Sequence, residues 1–131
     1  MRRVAITGMG VVSSIGANVA EVTRALKEAR SGVTFAPEFA ELGFRCQVYA
    51  RPSVNVETAL DRRTRRFMGE GAAWNYIAMK EAIDDARLSP DEISHPMTGI
   101  IMGSGGPSTA AIVEAADVTR ENKNTKRIGP T

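Results

Sequence analysis

The 131 residues carry 17 Lys and Arg against 15 Asp and Glu, a net charge of +2 that is too small to imply a polyanion partner for the whole chain and leaves any basic site to local clustering. No apolar run approaches the roughly 18 residues of a membrane span, and a single cysteine excludes an internal disulfide, so a reducing, cytoplasmic setting is expected. With 43% apolar residues the chain has material for the core of one domain.

Residues 3–7 carry no turn signal, and Val4, Ala5 and Ile6 form a short apolar run of the kind buried on both faces of a sheet. Gly8 and Gly10 then end this strand in a close-packed turn, with Ser13, Ser14 and Gly16 before helical spacing begins. A dinucleotide site also opens with strand, glycine turn and helix. Here Ser13 stands where that fingerprint wants Gly or Ala, and no strand ending in Asp or Glu follows about twenty residues on. Such an opening strand also lacks the charged lead and cleavage site of a signal peptide.

Asn18 followed by Glu21 resembles a capping box, and Val19, Val22, Leu26 and Ala29 share one face of the helix that follows. Gly32 is placed for its C-cap. Residues 33–43 read as loop with one short turn at most. Residues 44–50, FRCQVYA, alternate as a strand with Phe44, Cys46 and Val48 facing inward. Cys46 is then a structural cysteine rather than a nucleophile.

Asp61 caps a second helix that the pattern carries unbroken to about Ala86, with Pro90 beyond its end. Phe67, Gly71, Trp74, Ala78 and Ala82 form one apolar stripe, and Ala72, Tyr76, Met79, Ile83 and Ala86 form another. Burial between layers or against another subunit is expected, with Gly69 and Gly71 admitting a close backbone. SPDEI makes one further turn. Residues 98–102 give a second buried strand that runs into GSGGPS, where Pro107 suits the first turn of a helix. That helix shows Ile112, Ala115, Ala116 and Thr119 on its less polar face and ends near Arg120, followed by an exposed loop, ENKNTKR. Strands separated by helices indicate an α/β fold with an incomplete sheet.

Arg62, Arg63, Arg65 and Arg66 are the strongest site signal, because cations at a helix start oppose the macrodipole and repel one another. Two readings are open: a solvated helix start screened by salt, or a dock for phosphate or an acidic partner. Lys123, Lys126 and Arg127 form a second basic patch. Nucleic acid is disfavoured, since no aromatic residue interleaves the cluster except Phe67, which the apolar stripe claims. GSGGPS lacks the Lys and Ser/Thr of a P-loop and reads, like the GMG turn, as tight backbone packing around a cavity. His95 lies in an exposed loop, and no metal-ligand spacing exists.

Taken together, VAITGMGVVSSIG, SGV, DRRTRRFM, IIMGSGGPS and KRIGP resemble the N-terminal portion of a β-ketoacyl-acyl carrier protein synthase of the type I group, in order and spacing along the whole chain. The resemblance implies part of the thiolase-like αβαβα layered fold, with residues 1–131 forming part of its first half, no second domain, and assembly as a homodimer. It implies a condensing enzyme of fatty acid synthesis. In that family a cysteine is acylated, and two histidines and a lysine assist decarboxylation of malonyl-acyl carrier protein and condensation.

No residue of this chain matches those four, so the chain alone is expected to be inactive, without catalytic residues, metal or cofactor. Substrates would arrive on the phosphopantetheine arm of acyl carrier protein. Arg62, Arg63 and Arg66 match the positions that meet this acidic partner, and Lys123 and Lys126 match a patch contributed across the dimer. Arg65 stands where the family pattern is apolar. Gly106 matches the gate of the acyl tunnel and implies an ungated entrance, while Pro107 replaces a glycine common there. The alternative is a stand-alone, non-catalytic module that binds an acidic partner through these patches. Unmet sheet edges and an apolar helix would leave the isolated chain prone to disorder or aggregation.

Overall fold

Side-chain caps decide where most helices begin. The computed structural model describes residues 3–128, which divide into two compact units. One is drawn from Met1–Val54 with Ile77–Arg87, and the other from Asn55–Tyr76 with Leu88–Thr131.

In the first unit α1 (Val19–Lys27) starts at Asn18, whose side chain accepts the Glu21 N–H at 2.9 Å. The Glu21 carboxylate turns back to the Ala17 N–H at 2.8 Å, one residue short of the position a full capping box uses. The helix does not reach Gly32. It ends in a Schellman turn, with Arg30 N–H bonded to Ala25 O, Ala29 N–H bonded to Leu26 O, and Ala29 itself left-handed at φ 50°. Gly32 instead admits a close backbone, since a Cβ there would stand 2.4 Å from Ser14 O. Ala25 is buried, but Leu26 projects outward, against the expected apolar face.

β1 (Thr34–Phe35) and β2 (Val48–Tyr49) pair antiparallel, Thr34 opposite Tyr49 and Phe35 opposite Val48. Between them α2 (Pro37–Glu41) begins at its proline and brings Phe39 to 5.3 Å from the Phe44 ring and 6.1 Å from the Tyr49 ring. This aromatic contact overturns part of the expected alternation. Tyr49 turns to Phe39, while Cys46 and Val48 are exposed. Cys46 is therefore not a buried residue.

Residues 8–10 lie against the last turns of α5 (Glu70–Ala86). A Cβ on Gly8 would meet Ala82 O at 2.2 Å, and one on Gly10 would meet Ala78 O at 1.8 Å. The tight packing expected of the GMG turn is present, and alanines at 78, 82 and 86 make room for it. The strand expected at residues 3–7 is not: no strand pairs with it among the described residues, and Val4 and Ile6 are 94% and 85% exposed. An apolar run specifies burial, but a ladder needs a neighbour to accept its hydrogen bonds.

In the second unit α3 (Val56–Ala59) starts at Asn55, whose side chain accepts the Glu57 and Thr58 N–H groups, and α4 (Arg62–Arg65) starts at Asp61. The expected single helix from Asp61 is thus broken at residues 66–69 before α5 begins, and Gly69 sits in the break. A Cβ on Gly69 would approach Ser108 Cβ at 3.2 Å, whereas Gly71 faces open space and needs no close neighbour. Only Ala73 on α5 is fully buried, short of the all-round burial expected. α6 (Pro90–Ile93) carries a complete Ser89/Glu92 capping box. α7 (Thr109–Asn122) starts at Ser108, so Pro107 lies just outside the helix rather than in its first turn. Ala115, Ala116 and Thr119 are half-buried as their spacing predicts, and Ile112 is exposed. Residues 98–102 pair with no strand among the described residues, and Ile101 is fully exposed.

Candidate functional site

The basic turn α4 is held from both ends. Asp61 accepts the Thr64 N–H at 2.9 Å through Oδ1 and the Thr64 hydroxyl at 2.6 Å through Oδ2. The hydroxyl first, then the backbone N–H, hold the Asp61 carboxyl below its ordinary value of 3.8. A carboxylate at this cap favours the helix start that the arginines oppose. Within the turn the four arginines are not equivalent. Arg65 Nη1 lies 2.9 Å from Glu57 Oε1, tying α4 to α3. Arg66 places its guanidinium carbon 5.6 Å from the centre of the Phe67 ring, a cation–π contact. Arg62, Arg63 and Arg66 are exposed, and among the described residues neither Arg62 nor Arg63 has a carboxylate partner.

The same unit holds the second basic segment. Lys123 closes α7 in the left-handed conformation, φ 48° and ψ 31°. Beyond it, Asn124 Oδ1 accepts the Lys126 N–H at 2.9 Å, and Arg127 Nη1 donates to Asn122 Oδ1 at 3.3 Å. Lys123 and Lys126 are both exposed. No hydrogen bond or ion pair among the described residues joins them to α4. The Gly129 and Pro130 end of the KRIGP motif lies outside the described residues.

Gly106 sits in a small turn: its carbonyl accepts the Ser104 hydroxyl at 2.7 Å, and its N–H points back to Ser104 Oγ at 3.4 Å. Cβ atoms placed on Gly103, Gly105 or Gly106 would meet nothing within 4 Å. The close packing expected of GSGG is therefore absent among the described residues, and the loop stands open. His95 uses Nδ1 to accept the Met97 N–H at 3.1 Å. No group of three His, Cys, Asp or Glu side chains able to hold a metal occurs among the described residues, and no helix among them is long and apolar enough to cross a membrane.

Sequence reasoning missed the carboxylates that organise both units. Glu81 accepts the Val11 N–H at 3.0 Å and the Val19 N–H at 2.9 Å, one through each oxygen, and Asp85 accepts the Met9 N–H at 2.9 Å. These bonds clasp the glycine turn and the start of α1 to α5. The signal was legible in principle, because two acids four residues apart on an apolar helix repel unless donors face them. Glu57 carried no such signal, since nothing in its spacing points to Arg65.

A helix-rich chain with a small antiparallel sheet and one glycine turn laid on a long helix is, by its structural likeness, an incomplete half of the α/β thiolase-like layered fold. It superimposes with a TM-score of 0.73 on a β-ketoacyl synthase from Burkholderia phymatum, 30% identical, over 96% of this chain and 31% of that one. The model of the β-ketoacyl synthase N-terminal domain matches residues 1–130, and the chain belongs to that family. It is 42% identical over 130 residues to 3-oxoacyl-(acyl-carrier-protein) synthase 1 of Haemophilus influenzae and 40% identical over 131 residues to the protein of that name in Escherichia coli. In both cases 99% of this chain is covered, and the chain spans about a third of the relative's length.

Proposed function

We propose that these residues serve as the N-terminal part of a cytoplasmic, homodimeric β-ketoacyl-acyl carrier protein synthase, an acyltransferase of fatty acid synthesis that condenses malonyl-acyl carrier protein with an acyl-enzyme thioester. The acylated cysteine and its two histidines and lysine are supplied by sequence outside this stretch. Arg62, Arg63 and Arg66 receive the acidic carrier protein, Lys123 and Lys126 act as a second basic patch, and Gly106 borders an ungated acyl entrance. The substrate rides on the carrier's phosphopantetheine arm, and the chain itself needs no cofactor.

The observation that carries this reading is the division of labour on α4. The one arginine that departs from the family's pattern, Arg65, is tied to Glu57, and the three that match it are exposed. Replacing Arg62, Arg63 and Arg66 with Glu in the intact protein carrying this chain is expected to raise KM for acyl carrier protein by about tenfold or more through lost charge complementarity, with the melting temperature held. Unchanged KM would remove the docking assignment.

A further inference from the structure

The Arg65–Glu57 pair sits at the edge of the proposed docking turn and is open to water, with Glu57 77% exposed on its side chain and Arg65 34%. An ion pair this exposed contributes little to stability, because water and salt screen both charges. Its arginine belongs to the same four-residue turn as Arg62 and Arg63. Its glutamate comes from the separate turn α3, fixed in place by the Asn55 cap. A carboxylate is thus already seated on a face whose remaining cations await carboxylates.

We propose that Glu57 is an internal competitor of the acidic carrier protein. It occupies Arg65 in the free protein and gives way when a carrier carboxylate arrives, so that Arg65 becomes a fourth docking cation. Glu57 thereby sets how tightly the carrier is held. This rests on the docking reading above and adds to it the two residues that reading leaves out. The partner is fixed by charge: three exposed cations beside an exchangeable fourth suit an acidic protein surface better than a single small anion.

The test is a four-variant cycle in the intact protein carrying this chain, with affinity for purified acyl carrier protein measured at two salt concentrations. Glu57→Gln is expected to tighten binding about threefold to fivefold when Arg65 is present, and less than about twofold in an Arg65→Gln background. Equal effects in the two backgrounds would mean that Glu57 acts only as a general negative charge, and would overturn the proposal. No effect, or weaker binding, on Glu57→Gln would overturn it as well. The Arg62, Arg63 and Arg66 to Glu variant separates the two levels. If it binds as tightly as the parent, the docking reading falls and the competitor falls with it; if it binds weakly while the cycle shows no coupling, only the competitor falls. Unchanged far-UV circular dichroism and melting temperature in each variant keep folding out of the comparison.

Discussion

The glycine turn of the first unit and the arginine turn of the second use charge in opposite ways. At the first, Glu81 and Asp85 point at backbone N–H groups of Met9, Val11 and Val19, and each carboxylate is answered within the chain. At the second, Arg62 and Arg63 find no carboxylate partner among the described residues, while Glu57 is bound to Arg65. Charge answered inside the chain holds a fold together. Charge left facing water on a turn that opposes it contributes nothing to holding that turn together.

That contrast is broken most severely at Gly10. Gly10→Val would drive a side chain into Ala78 O, where even a Cβ stands at 1.8 Å, and is expected to destabilise by about 3 kcal/mol or more in urea denaturation. Gly71→Ala, facing open space in α5, is the counterpart and should stabilise by about 1 kcal/mol. A smaller loss follows Glu81→Ala, which leaves the Val11 and Val19 N–H groups without their acceptor and is expected to cost about 2 kcal/mol, whereas the arginine-to-glutamate triple variant should leave the denaturation midpoint where it is. The smallest effect concerns the Asp61 cap. Its carboxyl is held below 3.8 in the folded chain, so the cap's contribution is complete above the unfolded value and is lost as pH falls through the lower folded one. Protection of the Thr64 amide, taken relative to its intrinsic exchange rate at each pH, should hold above the unfolded value and fall only as pH drops through the lower folded one. Asp61→Asn, which still caps, should flatten the pH dependence.

The helix starts at Asn18 and Asp61 were the most legible part of the fold, because each satisfies N–H groups by local geometry that spacing alone reveals, whereas α7 starts at Ser108, one residue after the Pro107 that the pattern places in its first turn. The turn at Pro90 was equally plain. The two apolar runs at residues 3–7 and 98–102 were legible as segments that seek burial but not as paired strands, since pairing depends on a neighbour that local sequence does not name. Cys46 was misplaced because the Phe39 ring, brought in by a proline-initiated turn, draws Tyr49 to its side and turns Cys46 out. The break at residues 66–69 escaped notice for a similar reason: apolar periodicity ran straight through it.

At the candidate site the basic residues announced themselves through unfavourable charge. The distinction among the four arginines came from the family pattern at Arg65, and only the structure supplied Glu57 as the partner of that arginine. Composition could not separate exposed cations from paired ones, because an ion pair across two short helices leaves no periodic trace.

The close approach of residue 69 to Ser108 links two segments far apart in the sequence. Residue 69 joins the arginine turn to α5, and Ser108 both caps α7 and ends the loop that contains Gly106. A new Cβ at 69 would stand 3.2 Å from that of Ser108, so the segment around Ser108 must give by a few tenths of an ångström to admit it. A side chain added beside the basic turn is therefore felt at the start of α7 and at the end of the glycine loop, nearly forty residues away in sequence.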